Sequence, residues 1–135
     1  MVQRSGDVHI EVPAVHRSLR LLRLAVADAA VDMGYDVDGI EAVRIAVDEL
    51  AAILLATGKW ETLTLTISRD PAGLVVEGAV AGSGGTPSTP AVDGIVSELL
   101  AVCVADYALV DGDRPGFTFR SQPPGSQGSP ELSGS

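Results

Sequence analysis

The sequence predicts an α+β fold, a two-layer α/β sandwich with a mainly antiparallel sheet, in the order β-α-α-β-β-α-β-β. Three observations carry this. Thr62-Leu-Thr-Leu-Thr-Ile-Ser68 alternates hydroxyl and aliphatic side chains, and Asp70-Pro-Ala-Gly73 turns it into a second run over 74–81, giving a hairpin. Two long segments, within 14–33 and 38–55, repeat apolar residues at three- and four-residue spacing, the helical period. One face of the hairpin is aliphatic and the other hydroxylated, so helices are expected on one side of the sheet only.

At 135 residues the chain fits one domain with enough length to bury a core. Hydrophobic residues make up 46% and aromatics 4%, so that core is built from Leu, Val, Ile and Ala. The domain is expected over 8–120, between a flexible N-terminus (1–7) and a disordered Ser-, Gly- and Pro-rich tail (121–135). On that division, a cut after Arg120 leaves stability unchanged. No run approaches 18 apolar residues and residues 1–7 hold no apolar h-region, so a cytoplasmic protein with no membrane span is expected. A net charge of −9 with only nine Lys and Arg repels phosphate backbones, which disfavours direct nucleic-acid binding and favours a basic protein partner. Cys103 is the single cysteine and fits a small buried hydrophobe. His9 and His16 do not make a metal site.

In chain order, Val8-His-Ile-Glu-Val12 alternates and ends at Pro13, as a strand does. A helix over 14–33 comes next, closed by Gly34 at C′. Its core stripe is Val15, Leu19, Leu22, Val26, Ala30 and Met33. Opposite, Leu21, Leu24 and Val31 sit among Arg17, Arg20 and Asp28. Such a patch is either a docking or dimer surface or a scatter of exposed leucines. In the second helix Asp38 is placed as N-cap, Glu41 completes a capping box, and Gly58 marks the stop. Ile40, Val43, Val47, Leu50 and Leu54 share one stripe at about 100° per residue. Glu49 lies opposite, between Ile45 and Ile53. That marks either a site on a second face or a helix buried on two sides whose carboxylate escapes at an edge. The segment Gly82-Ser-Gly-Gly-Thr-Pro-Ser-Thr-Pro90 matches neither a P-loop nor Gly-x-Gly-x-x-Gly and reads as a plain loop. A third helix is expected over 91–105 with Ile95, Leu99 and Val102 inward. Strands at 107–110 and 116–120, joined at Asp111-Gly112, complete the order with Phe117 and Phe119 packing inward.

The run Asp38-Gly-Ile-Glu-Ala-Val-Arg-Ile-Ala-Val-Asp-Glu49 resembles the N-box helix of the anti-sigma-factor serine kinases, within the histidine-kinase-like (GHKL, Bergerat-fold) ATPases. The similarity extends over 8–120, and the element order agrees. It implies a Bergerat fold and a regulator of transcription, usually dimeric, that sequesters a sigma factor. Such proteins use ATP and Mg²⁺ to phosphorylate an anti-anti-sigma factor, which frees the sigma factor. The family's N box carries a glutamate base, matched by Glu49, and four residues later an Asn that holds the metal. Here that position is Ile53, and a sec-butyl group cannot coordinate magnesium. The family's adenine-binding Asp before Gly-x-Gly is matched by Ala81, with Gly82 and Gly84 after it. Of the Gly-rich lid, Val92-Asp-Gly-Ile-Val-Ser97 keeps Gly94 alone.

These departures imply a degenerate member: fold kept, nucleotide chemistry lost, no metal or cofactor expected. Protein binding through Arg17, Arg20, Leu21, Leu24 and Asp28 is then the function, to a sigma factor, an anti-anti-sigma factor or a sister subunit. Two alternatives stay open. One is a working serine kinase with ATP and Mg²⁺ that uses Glu49; the other is an interaction module of the same fold that serves no sigma factor.

Overall fold

Residues 7–82 and 88–124 are described by the computed structural model of this chain. Five strands, β1 (Val8–Pro13), β2 (Thr62–Asp70), β3 (Gly73–Ala81), β4 (Val104–Val110) and β5 (Gly116–Ser121), form one sheet. The order is β1-β2-β3-β5-β4 and every neighbouring pair is antiparallel. Three helices, α1 (Leu19–Asp32), α2 (Val37–Leu55) and α3 (Gly94–Cys103), interleave in the expected order. Alternation along β2 decides where they lie. Leu63, Leu65 and Ile67 are at most 1% exposed, whereas Thr62, Thr64 and Thr66 stay half-buried on the other face. Leu74, Val76, Val80, Phe117 and Phe119 share the dry face, and the two rings stack at 6.3 Å between centroids. The result is the two-layer sandwich that the pattern predicts, with the hydroxyl-rich sheet face left uncovered by the described helices.

The middle of α2 is the core's axis. Val43, Ala46, Val47, Leu50, Ala51 and Leu54 are fully buried, which matches the predicted stripe and widens it by two small alanines. Ile40 is half-buried at its edge. The cap differs from the expectation: Asp36, not Asp38, is the extended N-cap, and its carboxylate accepts from Gly39 N–H at 2.8 Å. Asp38 sits inside the first turn, where its charge still favours the helix N-terminus. Gly58 does not stop the helix through a left-handed turn. The buried Thr57 hydroxyl donates to the Leu54 carbonyl at 2.7 Å instead, closing the last turn.

The first helix starts later than predicted. A 3₁₀ turn (His16–Ser18) precedes α1, and Val15 is 36% exposed rather than in the core. Its end keeps to the pattern: Gly34 has φ +88°, Gly34 N–H donates to Val31 O, and Tyr35 N–H donates to Ala30 O. That pair of bonds is a Schellman cap. The third helix is shorter than expected and rotated. Leu100 and Cys103 are buried, whereas Ile95 is 81% and Val102 76% exposed. The helix is apolar on nearly every side, so its periodicity does not select one face. Strand β4 begins three residues earlier than predicted and carries a register shift between Val104 and Asp106.

The domain boundary also moves. Ser121 is the last residue of β5, 1% exposed, and its hydroxyl accepts from Leu74 N–H at 2.9 Å and bonds the Tyr35 hydroxyl. Tyr35 also donates to the Gln122 carbonyl at 2.7 Å. This cluster ties the α1–α2 connection to the start of β3 and the end of β5. The tail from 125 onward and residues 1–6 lie outside the described residues.

Because Ser121 and Gln122 carry these bonds, a cut after Arg120 is expected to cost stability rather than leave it unchanged. Ending the chain at Arg120 strips partners from two buried polar groups, at about 1–3 kcal/mol for an unsatisfied group. Calorimetric melting is expected to fall by several degrees for that cut, and by less for a cut after Pro124, which keeps Ser121 and Gln122 in place. A second prediction concerns pH. The Arg120 guanidinium, then Ala72 N–H at 2.8 Å, hold the Asp70 carboxyl below its ordinary value of 3.8. A carboxyl lowered in the folded state stabilises above its unfolded pKa and loses that contribution as pH falls through the folded one. Asp70→Asn should lower the melting temperature at pH 7, and the gap from the parent should close as pH drops below 3.8.

Candidate functional site

Two of the five sequence-predicted pocket residues, Glu49 and Ile53, stand on the outward face of α2, and the structure brings these two together. Glu49 and Ile53, one turn apart and both half-buried, line a cleft of about 380 Å³. Ala52, Ala56 and Thr57 of the same helix end complete one wall, and Ser88, Thr89 and Ala91 ahead of α3 form the other. The two walls are joined by a hydrogen bond in which Ser88 N–H donates to the Thr57 carbonyl at 2.7 Å. Trp60 Nε1 braces the same corner by donating to the Thr57 hydroxyl at 3.0 Å.

Ala81 and Gly82 do not line this cleft. Strand alternation turns Ala81 to the open face of the sheet, and Val80, fully buried, is the residue that points to the helices. A carboxylate reaching the helix layer from this strand end would have to stand at 80, one position before the residue that the family motif aligns. Aliphatic groups occupy both positions. Gly82 has a local reason to be glycine: φ is +78°, and a Cβ there would lie 2.6 Å from a Glu61 carboxylate oxygen. Gly84 lies outside the described residues. Gly94 opens α3 behind Asp93, whose carboxylate accepts from Val96 N–H at 2.8 Å as N-cap.

The donor set of the cleft does not fit a magnesium–triphosphate. Among the described residues Glu49 is its one carboxylate, Ile53 presents only carbon where a second oxygen ligand is needed, and no Lys or Arg lines it. Among the described residues, too, no group of three His, Cys, Asp or Glu side chains is arranged to hold a metal ion.

The second candidate surface is α1. Leu21, Leu24 and Val31 are 50%, 66% and 61% exposed, and Arg17, Arg20 and Asp28 are on the surface beside them, as the helical wheel predicts. Sequence reasoning missed that this surface folds into a groove. Arg20, Arg23, Leu24 and Ala27 of α1 face Ile40 and Arg44 of α2 across about 410 Å³. Arg17, Arg20, Arg23 and Arg44 are four of the nine cationic side chains in the chain, so a basic strip runs over an acidic protein. Arg23 is ion-paired to Asp48 at 2.6 Å and Arg44 to Glu41 at 3.0 Å. The clustering is visible in the sequence, where three arginines fall within two turns of one helix; the convergence of two helices is not.

Cys103 is buried. Burial pushes its thiol up, and the carboxylates of Glu41 and Glu49 push the same way. It is an inert packing group, as expected. No described helix is long and apolar enough to cross a membrane.

No protein-family model matches the chain, and no curated protein sequence matches it significantly. Solved structures do match. The chain superposes on the crystal structure of the RsbU and RsbW domains of Rv1364c from Mycobacterium tuberculosis with a TM-score of 0.67, at 14% identity. The match covers 87% of this chain and 32% of that one. At that identity the likeness is one of fold: a five-stranded antiparallel sheet covered by helices.

Proposed function

We propose that this chain is an anti-sigma-factor-like regulator of transcription that works by protein–protein binding in a partner-switching system, with its nucleotide chemistry lost. The observation that carries the reading is Ile53. One turn beyond Glu49, on a fold shared with an RsbU/RsbW-domain protein, it fills the cleft with carbon where the described lining supplies no cation and one carboxylate. The binding element is the outer face of α1, where Leu21 and Leu24 stand exposed among Arg17, Arg20 and Asp28. Exposed aliphatics ringed by charge are the composition of a docking face, because they add buried apolar area while the charges set register. The partner is a sigma factor or an anti-anti-sigma factor, and the same face serves a sister subunit if the chain pairs with itself.

A second reading has one observation in its favour. Glu49 is retained at the cleft and is partly open to solvent, as a general base must be. A working serine kinase would need another group to complete the metal shell.

Calorimetric titration with Mg-ATP separates the two. No heat of binding is expected up to about millimolar nucleotide; micromolar binding would defeat the loss of nucleotide chemistry, and phosphate transfer to an anti-anti-sigma protein that Glu49→Gln abolishes would establish the kinase. For the binding face, Leu24→Asp should leave stability within about 0.5 kcal/mol, since the side chain is exposed. The same variant should lose co-purification with the sigma subunit; unchanged recovery would remove α1 from the interface.

A further inference from the structure

The sheet has a second face, which the described helices leave open, and strand register sets what stands there. Thr66, Glu77 and Thr118 form one row across β2, β3 and β5, and Thr64, Ala79 and Gly116 form the next row on the same side. Val110 of β4 extends the second row beyond Gly116. The rows are two residues, about 7 Å, apart along the strands. Glu77 and the threonines stand up from the sheet, whereas Ala79 offers one methyl and Gly116 no side chain, so the surface dips between them. Gly116 has no room for more: a Cβ there would lie 2.7 Å from the Gly78 carbonyl oxygen. The dip is a hollow of about 340 Å³, bordered by Arg114 from the β4–β5 turn.

The lining holds two charges of opposite sign that do not meet. Glu77 and Arg114 both border the hollow and both are exposed, yet among the described residues neither has an ion pair. Arg23, Arg44, Arg69 and Arg120 each close on a carboxylate. Arg114, like Arg17 and Arg20 on the open face of α1, does not, although Asp111 and Asp113 share its turn. The Asp111 carboxylate accepts from Gly112 N–H at 2.8 Å instead. Two of the threonines are fixed: Thr64 donates to the Ala79 carbonyl at 3.3 Å, and Thr66 bonds His9 Nδ1 at 3.1 Å. Thr118, half-buried between them and Val110, has a hydroxyl with no partner among the described residues.

We propose that this hollow binds a small zwitterion, an amino acid or dipeptide, with its ammonium on Glu77 and its carboxylate on Arg114. The charge pattern selects the class. A simple anion is repelled by Glu77 and a simple cation by Arg114, whereas a ligand carrying both charges satisfies both. The planar fork of Arg114 takes a carboxylate through two parallel hydrogen bonds. An ammonium has three donors, and Thr66 and Thr118 flank Glu77 in its row with oxygens that can accept those the carboxylate leaves over. The apolar side chain of the ligand then lies over Ala79 against Val110, which is 51% exposed. A hollow of this size is at the lower end of small-molecule sites. It lies across the sheet from the Glu49 cleft and from α1, and rests on neither reading of the function.

The test is an NMR titration of the isotope-labelled full chain with leucine and with glycyl-leucine, whose charges are differently spaced. At least one is expected to shift the amide signals of Thr66, Glu77, Gly78 and Thr118 with a submillimolar Kd, and the tighter of the two tells amino acid from dipeptide. N-acetyl-leucine lacks the cation and leucinamide the anion, and each should bind at least about tenfold more weakly than leucine or glycyl-leucine, whichever is tighter. Glu77→Gln should leave the melting temperature unchanged, because the side chain is exposed. It should weaken the zwitterion and tighten N-acetyl-leucine, a crossover that a merely structural role would not produce. Ala79→Leu, which fills the hollow, should abolish the shifts. No shift at these amides up to about 10 mM of either ligand, or equal affinity for leucine and its N-acetyl derivative, would overturn the proposal. So would sedimentation showing an oligomer of the protein alone that Glu77→Gln dissolves, because the face would then be closed by a second copy.

Discussion

The dryness of α2 along one side is the constraint on which the rest of the molecule depends. Six side chains between Val43 and Leu54 are fully buried against the sheet and the neighbouring helices. Truncating a large one, such as Leu50, leaves a cavity and costs about 2–5 kcal/mol, a large fraction of the net stability of a domain this size. A helix pinned that firmly cannot rotate, so the opposite side chains are fixed as well. Glu41, Ile45, Glu49 and Ile53 are held outward in a row because Val43, Val47, Leu50 and Leu54 are held inward. The caps set its register along the axis: Asp36 at one end, and Thr57 with Ser88 at the other. One wall of the cleft at Glu49 is thus a by-product of core packing, and its chemistry depends on which residues stand on that outward face and on Ser88, Thr89 and Ala91 opposite.

How much of the fold is readable in the sequence depends on how many physical demands each segment meets. Strand β2 alternates strictly because one face is dry and the other wet, so both its existence and its orientation can be read. The inward stripe of α2 is equally plain, since Ile40, Val43, Val47, Leu50 and Leu54 recur at one angle. Helix α3 misleads for the opposite reason. With Ile95, Val96, Leu99, Leu100, Ala101, Val102 and Cys103 nearly continuous, local periodicity cannot say which side meets α2. The burial of Leu100 and Cys103 decides it, and that is tertiary information. The Gly- and Pro-rich composition beyond Ser121 assigns that residue to the tail, although its hydroxyl is a strand-end partner for Tyr35 and Leu74 from far along the chain. Such pairings leave no local signal.

The site is legible at the level of one helix and not beyond. Glu49 and Ile53 lie four residues apart on a helix, so their convergence is implied by the period alone. Ala81 is a different matter. Its place relative to the helices depends on which residue of β3 faces inward, and the register Leu63↔Val80 and Thr62↔Ala81 assigns that role to Val80. A shift of one position in a strand exchanges the two faces of the sheet, which is why an adjacent residue is a poor substitute.

Two grooves of opposite charge flank the same helix, and this limits how they can communicate. On the α1 side the lining is Arg20, Arg23 and Arg44; on the α3 side it is Asp38, Glu41 and Glu49. Arg23 and Arg44 are already paired to Asp48 and Glu41, so the contrast in sign between the grooves rests mainly on Arg20 against Asp38 and Glu49. A direct link between them is the Arg44–Glu41 pair at 3.0 Å, one residue from each groove. An anion drawn to Arg44 weakens its hold on Glu41 and leaves that carboxylate freer for a cation. An exposed pair three residues apart on a helix is worth under about 1 kcal/mol, so the coupling it transmits is at most several-fold in affinity, equal in both directions. With α2 locked into the core there is no second packing of the helix to amplify that link. The two grooves are electrically complementary neighbours on a rigid support, and any strong exclusion between partners has to come from their bulk meeting above α2.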